Sequence, residues 1–239
     1  MKKAVVLLSG GLDSATILAI AKIQNFHCYA LSFFYGQRHK IELELAKKLS
    51  QMFKVIEHKI IKLDLGNFGG SSLTSDTKVQ RSKIYLNKSF KDPSSIPNTY
   101  VPARNTLFLS YALSYAEIIG SCNIFIGVNA VDYSNYPDSR PKYIEAFNNM
   151  ANLATKAAIN GQKLKVHAPL INMTKAQIIL TGLNLGVDYA CTHSCYNPKE
   201  GRACGECDSC VLRKRGFIQA GIKDPIKYQC GKNQISTSS

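Results

Sequence analysis

A chain of 239 residues, 45% of them hydrophobic, can bury the core of one main domain and contains no low-complexity block. Lys2 and Lys3 precede only five apolar residues, and no later run approaches the ~18 apolar residues of a membrane span. We therefore expect a compact cytoplasmic protein without a signal peptide or a membrane segment. The formal charge of +14 favours polyanionic partners, nucleotides at least, although solvated lysine faces explain it equally well.

Apolar runs alternate with helix-periodic segments along the chain. Strands are predicted near residues 4–8, 28–34, 54–61, 122–128 and 164–168. Helices are predicted near residues 12–24, 39–53, 104–119, 142–159, 174–185 and 208–219. This alternation of strands and helices predicts an α/β fold, a parallel five-stranded sheet with helices on both faces. Because ligands of such sheets bind beyond the carboxyl ends of the strands, the segments that follow the strands are the candidate site.

The segment SGGLDS, residues 9–14, follows the first strand and opens the first helix. Its glycines let the backbone approach a ligand, and its hydroxyls and the amides of the helix start present donors to an anion. It lacks the lysine of a Walker loop, so it suits a reaction in which pyrophosphate leaves and AMP is transferred. An ordinary capped glycine turn is the alternative. The predicted ATP-binding residues are Leu8, Ser9, Gly10, Gly11, Leu12, Asp13 and Ser14.

Two further segments bring charged side chains to the predicted site. YGQRH, residues 35–39, follows the second strand, and Arg38 within it is suited to a phosphate or a carboxylate. His39 is either a general base or a capping group. A long polar stretch of about residues 66–100 predicts a lid-like insertion, with a disordered loop as the alternative. The VPARN that follows it opens a helix with Arg104.

Four cysteines near the C-terminus have the spacing of a metal site. Cys195, Cys204, Cys207 and Cys210 form CxxxxxxxxCxxCxxC, with Gly205 allowing the chain to fold back. Four thiolates in tight turns predict one structural Zn²⁺ with no open position, and an iron–sulfur cluster is the alternative. His193, Cys191 and Cys230 are predicted to lie outside the ligand set, and Cys28 and Cys122 to be small buried hydrophobic residues.

These features divide the chain into three parts. Residues 1–189 form the predicted nucleotide-binding domain, which includes the polar insertion. Residues 190–230 form a four-cysteine zinc module with a C-terminal helix, and residues 231–239 form a flexible tail.

Several motifs, taken together and in order, resemble the 7-cyano-7-deazaguanine synthase family of queuosine biosynthesis, within the PP-loop ATP pyrophosphatase superfamily. They are SGGLDS, FxYGQRHxxEL, VPARN, GVNAVDYSNYPDSRPKY, the TK of residues 174–175, SCY and CGECDSC. SGGxDS is common to the superfamily, whereas the DYSNYPDSR block with the four cysteines is much narrower. The resemblance extends from Ala4 to about Tyr228. His193 occupies the position before SC where the family leads us to expect an aromatic residue, so a stacking contact expected there is not implied for this chain.

The resemblance implies a ligase that converts 7-carboxy-7-deazaguanine and ammonia to the nitrile, by adenylation, amide formation and a second adenylation. It implies that Arg38, Arg104 and Lys175 neutralise the phosphates and that Asp13 also orients Mg²⁺. Asp132 and Tyr133 are the implied contacts of the deazaguanine. We expect a homodimer that does not bind tRNA directly. Its ammonia is expected to be free in solution or to come from another protein.

Two other functions remain open on the sequence alone. A tRNA-modifying, thiolating enzyme of the same superfamily would account for the positive charge and the surplus cysteines. A zinc-stabilised RNA-binding protein is the non-enzymatic alternative, and turnover of ATP to AMP would exclude it. NAD synthetase is a weaker hypothesis because that enzyme is not expected to contain a four-cysteine module.

Overall fold

A parallel sheet of five strands forms the centre of the molecule. The computed structural model describes residues 2–37, 41–75, 77–79, 82, 96–131 and 136–229. The strands are β1 (Lys3–Leu7), β2 (His27–Phe34), β3 (Glu57–Lys62), β4 (Asn123–Phe125) and β5 (Lys165–His167). All neighbours pair in parallel, in the order β3-β2-β1-β4-β5. The predicted α/β fold is confirmed.

Helices connect the strands and cover both faces of the sheet. They are α1 (Leu12–Ile23), α2 (Ile41–Met52), α3 (Arg104–Ile119), α4 (Pro141–Ala154), α5 (Lys156–Ile159), α6 (Lys175–Asn184) and α7 (Asp208–Gln219). Short 3-10 turns occur at Gly66–Phe68, Pro137–Ser139 and Tyr189–Cys191. Among the helices of the described ranges, none is both long and apolar enough to cross a membrane.

The central strand β1 shows why the sheet is covered on both sides. Ala4 and Val6 contribute to one hydrophobic cluster, with residues of α1, α2, α6 and α7. Val5 and Leu7 contribute to the other, with residues of α3 and α4. Alternate side chains of a strand point to opposite faces, so an unbroken apolar run is the pattern of a strand buried on both.

The strand order reverses direction at β1, which lies between β2 and β4. In open parallel sheets such a reversal leaves a crevice at the carboxyl ends of the strands, where ligands bind. SGGLDS leaves β1 at this point, and the chain after β4 passes close to it. A Cβ at Gly127 would lie 3.2 Å from the carbonyl carbon of Asp13, so this close approach favours glycine.

Two segments differ from the pattern predicted by the sequence. The helix predicted over residues 142–159 is broken at Thr155, whose backbone is extended. The Thr155 hydroxyl donates to the carbonyl of Ala151 at 2.9 Å and accepts from the amide of Ala158 at 3.4 Å. It therefore closes α4 and caps α5. Cys122, expected in the core, is only half-buried, whereas Cys28 is buried as predicted.

Part of the polar insertion packs against the sheet domain. Leu73 and the adjoining Val101 belong to the hydrophobic cluster under α3 and α4. Thr99 shares a hydrogen bond of 2.7 Å with the hydroxyl of Tyr136. These described residues tie both ends of the insertion to the crevice wall.

Candidate active site and four-cysteine centre

The SGGLDS loop is held against the first turn of α2. Gly10 has φ = 83°, a left-handed conformation that favours glycine. A Cβ at this position would overlap the carbonyl oxygen of Glu42. Besides adopting the left-handed conformation, Gly10 therefore lets the loop lie directly on the backbone of α2.

The SGGLDS loop contains the first turn of α1, which lies at the crevice. The first intrahelical hydrogen bond of α1 joins the amide of Ala15 to the carbonyl of Gly11, at 3.0 Å. The amides of residues 12–14 precede it, and such amides have no partner within their helix. The Ser9 hydroxyl accepts from the Gly11 amide at 3.3 Å and donates to Ser14 at 3.1 Å. This arrangement can bind a phosphate.

Lys175 reaches the loop from a helix far along the chain. Its Nζ lies 2.7 and 2.9 Å from the two carboxylate oxygens of Asp13, 162 residues away in sequence. Lys175 is the first residue of α6, whose capping box is formed by Thr174 and Gln177. A cation at a helix N-terminus is unfavourable by itself, so the Asp13 carboxylate offsets that cost. The structure thus brings two predicted site residues together.

Arg104 approaches the crevice from the opposite direction, at the start of α3. Its Nη1 donates to the hydroxyl of Tyr35 at 3.4 Å, and its guanidinium lies 6.0 Å from the ring of Phe108. The preceding residue, Ala103, has a left-handed backbone with φ = 53°. The next residue, Asn105, is fixed by its amide, which donates to the Asp138 carboxylate at 3.0 Å.

A cavity of about 290 Å³ joins these groups. Its wall includes the SGGLDS loop, the start of α3, the start of α6 and the segment that leads into the cysteines. The predicted ATP-binding and catalytic residues on its wall are Leu8, Ser9, Gly11, Leu12, Asp13, Ser14, Arg104 and Lys175. Gly10 is buried behind the loop. A volume of this size fits the lower end of small-molecule pockets.

Three predicted site residues, Arg38, Asp132 and Tyr133, lie outside the described residues, as does His39. Sequence reasoning missed Glu42, which also lines the cavity, from the first turn of α2. Burial raises the pKa of this carboxyl to about 7, against the opposing charge of Arg104. The signal was present in FxYGQRHxxEL, where Glu42 follows the basic segment by a few residues.

The four predicted metal ligands converge. The sulfur atoms of Cys195, Cys204, Cys207 and Cys210 all lie within 4.8 Å of one another, and those of Cys204 and Cys210 are 3.9 Å apart. Zn–S bonds of about 2.3 Å require sulfurs about 3.8 Å apart at the corners of a tetrahedron. The cluster is therefore the right size for a four-sulfur metal centre.

Backbone amides support the sulfurs. Cys195 Sγ accepts from the amides of Asn197 and Cys204, at 3.3 and 3.1 Å. Cys204 Sγ accepts from the amides of Glu206 and Cys207, at 3.5 and 3.3 Å. Hydrogen bonding among the sulfurs lowers the pKa of Cys204 and Cys207 and raises that of Cys195 and Cys210. Donors aimed at sulfur stabilise thiolates, the form that binds metal.

The other cysteines of this region are not in the cluster. Cys191 is half-buried, and its thiol donates to Asp188 at 3.4 Å. Cys230 is outside the described residues. His193 is buried and its backbone amide donates to the carbonyl of Gly10 at 3.0 Å, so the chain that leads to the cysteine cluster contacts the SGGLDS loop.

A buried arginine fixes α7 to the sheet domain. Arg213 donates to both carboxylate oxygens of Asp224 from Nε, at 3.2 and 2.9 Å. Its Nη1 donates to Thr192 at 2.8 Å and its Nη2 to the carbonyl of Tyr189 at 3.0 Å. The Tyr189 hydroxyl shares a hydrogen bond of 2.8 Å with Thr16 of α1. Helices α7 and α1 are thus connected through buried polar groups.

Comparison with known proteins places this arrangement in a family. The family model described as "Queuosine biosynthesis protein QueC" matches residues 3–221. A 7-cyano-7-deazaguanine synthase of Desulfatibacillum aliphaticivorans is 59% identical over 229 residues, covering 95% of this chain and 97% of its own. One of Citrifermentans bemidjiense is 58% identical over 229 residues, covering 95% and 98%.

Among solved structures, an NMN synthetase from Francisella tularensis has a TM-score of 0.49 at 17% identity, covering 93% of this chain and 78% of its own. The family model matches well over half of this chain, and both sequence relatives align with it over nearly the full length of each protein. The chain belongs to the queuosine biosynthesis protein QueC family.

Proposed function

We propose that this chain converts 7-carboxy-7-deazaguanine and ammonia to 7-cyano-7-deazaguanine (preQ0), with ATP cleaved to AMP and pyrophosphate. The observation that carries the proposal is the cavity in which the SGGLDS loop, the Asp13–Lys175 pair and Arg104 surround one space. The relatives named 7-cyano-7-deazaguanine synthase supply the identity of the acceptor.

The chemistry requires activation of a carboxylate. Ammonia cannot displace oxide, so the carboxylate first attacks the α-phosphorus of ATP and pyrophosphate leaves. Ammonia then displaces AMP to give the amide. A second adenylation, on the amide oxygen, allows AMP to leave again and forms the nitrile. The protein contributes position and charge neutralisation, since charge develops on the phosphates in both rounds.

The residues on the cavity wall fit these needs. The amides of the SGGLDS loop would bind the pyrophosphate, and Lys175 and Arg104 would neutralise it. Arg38, which is outside the described residues, is proposed as a third cation. Asp13 pairs with Lys175, and its carboxylate would also orient a Mg²⁺ bound with the nucleotide. Asp132 would accept from the deazaguanine ring, and Tyr133 would stack on it.

The four-cysteine cluster would hold one Zn²⁺ in a closed structural centre. Its ligands would be Cys195, Cys204, Cys207 and Cys210, whose spacing suits a four-sulfur site. The centre supplies stability and no reacting position. Residues 190–230 would form this module, beside a nucleotide-binding domain of residues 1–189 with an insertion at about 66–100 and a tail at 231–239.

The expected context is a cytoplasmic homodimer that acts on small molecules and does not bind tRNA directly. The tRNA-thiolating enzyme and the zinc-stabilised RNA-binding protein are the competing functions. The family relationship does not favour either, because the matched relatives are named for synthesis of the free base.

The test is product analysis with the purified chain. We expect AMP, pyrophosphate and 7-cyano-7-deazaguanine from ATP, ammonium and 7-carboxy-7-deazaguanine. Parallel reactions replace the deazaguanine with unmodified tRNA or with nicotinic acid adenine dinucleotide. AMP release that depends on either of these, or no AMP release with the deazaguanine, would contradict the proposal.

A further inference from the structure

Glu42 has a position in the cavity that the proposed roles leave unused. It lies in the first turn of α2, and its own backbone carbonyl is the group that Gly10 of the SGGLDS loop packs against. Glu42 lines the same cavity as Asp13, Arg104 and Lys175. Glu42 is therefore fixed in relation to the loop that would hold the phosphates.

The surroundings of this carboxylate are unlike those of a structural acid. Within the part of the chain that the structure describes, Glu42 forms no ion pair, whereas Asp13 in the same cavity is paired with Lys175. Among the described residues, the charge of Arg104 of α3 acts on its pKa, and Glu42 in turn contributes to the raised pKa of Tyr35, which directly follows β2. An acid that is neither paired nor fully solvated costs stability, so a functional use is favoured.

We propose that Glu42 is the general base of amide formation, accepting the proton that the attacking ammonia nitrogen loses. The nitrogen lone pair forms the C–N bond at the acyl carbon, and the bond from that carbon to the AMP oxygen breaks with its electron pair on AMP. One N–H proton moves to the Glu42 carboxylate, which returns it to solvent. The proposal rests on the proposed function, because the acyl adenylate is its substrate.

The raised pKa of Glu42, about 7, suits this task. A carboxylate with an ordinary pKa is too weak a base for a nitrogen proton near neutral pH, and a base that titrates near the working pH is the most effective. Neighbouring Arg104 keeps part of the population ionised, since its charge opposes the effect of burial.

The experiment separates adenylation from amide formation. Exchange of labelled pyrophosphate into ATP, dependent on 7-carboxy-7-deazaguanine and without ammonia, reports adenylation. Single-turnover amide formation after ammonium addition reports the second step. For Glu42→Gln we expect exchange within about twofold of the unchanged chain and amide formation slowed about 10²-fold or more, as for removal of a general base.

Two further variants and a pH series complete the test. Glu44→Gln changes an exposed acid of the same helix and should leave both steps unchanged. Glu42→Asp should recover part of the amide step. In the unchanged chain the amide step, corrected for free ammonia, should rise with pH through about 7, and Glu42→Gln should lack that rise.

Other outcomes overturn the proposal. An unslowed amide step in Glu42→Gln excludes Glu42 as the base. Equal loss of exchange and amide formation places Glu42 in ATP binding instead. A missing pH rise in the unchanged chain contradicts the proposal even if Glu42→Gln fails to fold. Absence of exchange in the unchanged chain defeats the proposed function itself, so the two failures are distinguishable.

Discussion

Asp224 in the four-cysteine module and Glu42 in the cavity are carboxylates with opposite surroundings. Asp224 accepts from Arg213, from the hydroxyl of Tyr228 at 2.6 Å and from the amide of Ile226 at 3.2 Å. Glu42 has no ion pair within the described residues and faces a space that would receive substrate. A buried carboxylate whose oxygens accept several hydrogen bonds supports structure, whereas a carboxylate at the wall of a cavity is free to react with a ligand there.

The largest effect should come from breaking the cysteine cluster. Cys207→Ser removes one of four converging sulfurs, and metal binding in such modules is coupled to folding. We expect bound metal to fall from one equivalent of zinc to a small fraction and thermal stability to fall markedly, measured by elemental analysis and calorimetry. Cys122→Ser, at a half-buried cysteine outside the cluster, is the control. Iron in place of zinc would contradict the structural zinc site, and retention of full metal would contradict the ligand assignment.

A smaller loss should follow from breaking the module's buried ion pair. Asp224→Ala leaves Arg213, only 2% exposed, without its carboxylate. Loss of one partner of such a pair costs about 3–5 kcal/mol, measurable by urea unfolding. Glu145→Ala, which removes an exposed acid of α4, should cost far less. Equal effects of the two substitutions would show that the Arg213 network does not hold the module in place.

Overpacking the contact between α6 and α7 should have a moderate effect on stability and a specific one on adenylation. A Cβ at Gly216 would lie 2.5 Å from Cγ of Lys175 and 2.9 Å from Cδ1 of Ile179. Such overpacking costs about 1–3 kcal/mol, reduced by the better helix propensity of alanine. Because Lys175 is displaced from Asp13, Gly216→Ala should also raise the KM for ATP. Gln219→Ala, at an exposed residue of the same helix, is the control and should leave that KM unchanged. An unchanged KM in Gly216→Ala would contradict a role of α7 in positioning Lys175.

The smallest effect should be a gain in stability. Folding raises the pKa of Glu42 from 4.5 to about 7, so the folded chain holds this proton more tightly than the unfolded chain does. The penalty for ionising Glu42 is absent below pH 4.5, grows as the pH rises and is complete above about 7. Glu42→Gln should therefore stabilise the chain above pH 7, by about 1 kcal/mol after solvent screening, and have little effect at pH 4. Stabilisation independent of pH would show that the carboxyl is not desolvated.

The cysteine centre and the cavity were not equally accessible to sequence reasoning. The four sulfurs are close in sequence, and their chemistry is specified by residue type and spacing, so their convergence could be predicted. The unbroken apolar run of β1 likewise predicts a strand buried on both faces. Local signals of this kind need no knowledge of distant contacts.

The remainder depends on contacts between distant segments. Lys175 meets Asp13 across 162 residues, and the amide of His193 reaches Gly10, contacts that no local pattern encodes. The properties of Glu42 arise from burial beside Arg104, which only the packed structure supplies. Thr155 ended a helix that periodicity alone extended, because its hydroxyl competes for backbone groups at 2.9 Å and 3.4 Å.

The central claim is that one cavity performs two successive adenylations, and nucleotide stoichiometry tests it most directly. AMP and 7-cyano-7-deazaguanine should be counted in reactions that start from the carboxylate and, separately, from the 7-amide. The account predicts two AMP for each nitrile from the carboxylate and one from the amide, with the amide reaction needing no ammonium. Equal stoichiometry from both substrates, or an amide that the chain does not convert, would contradict it.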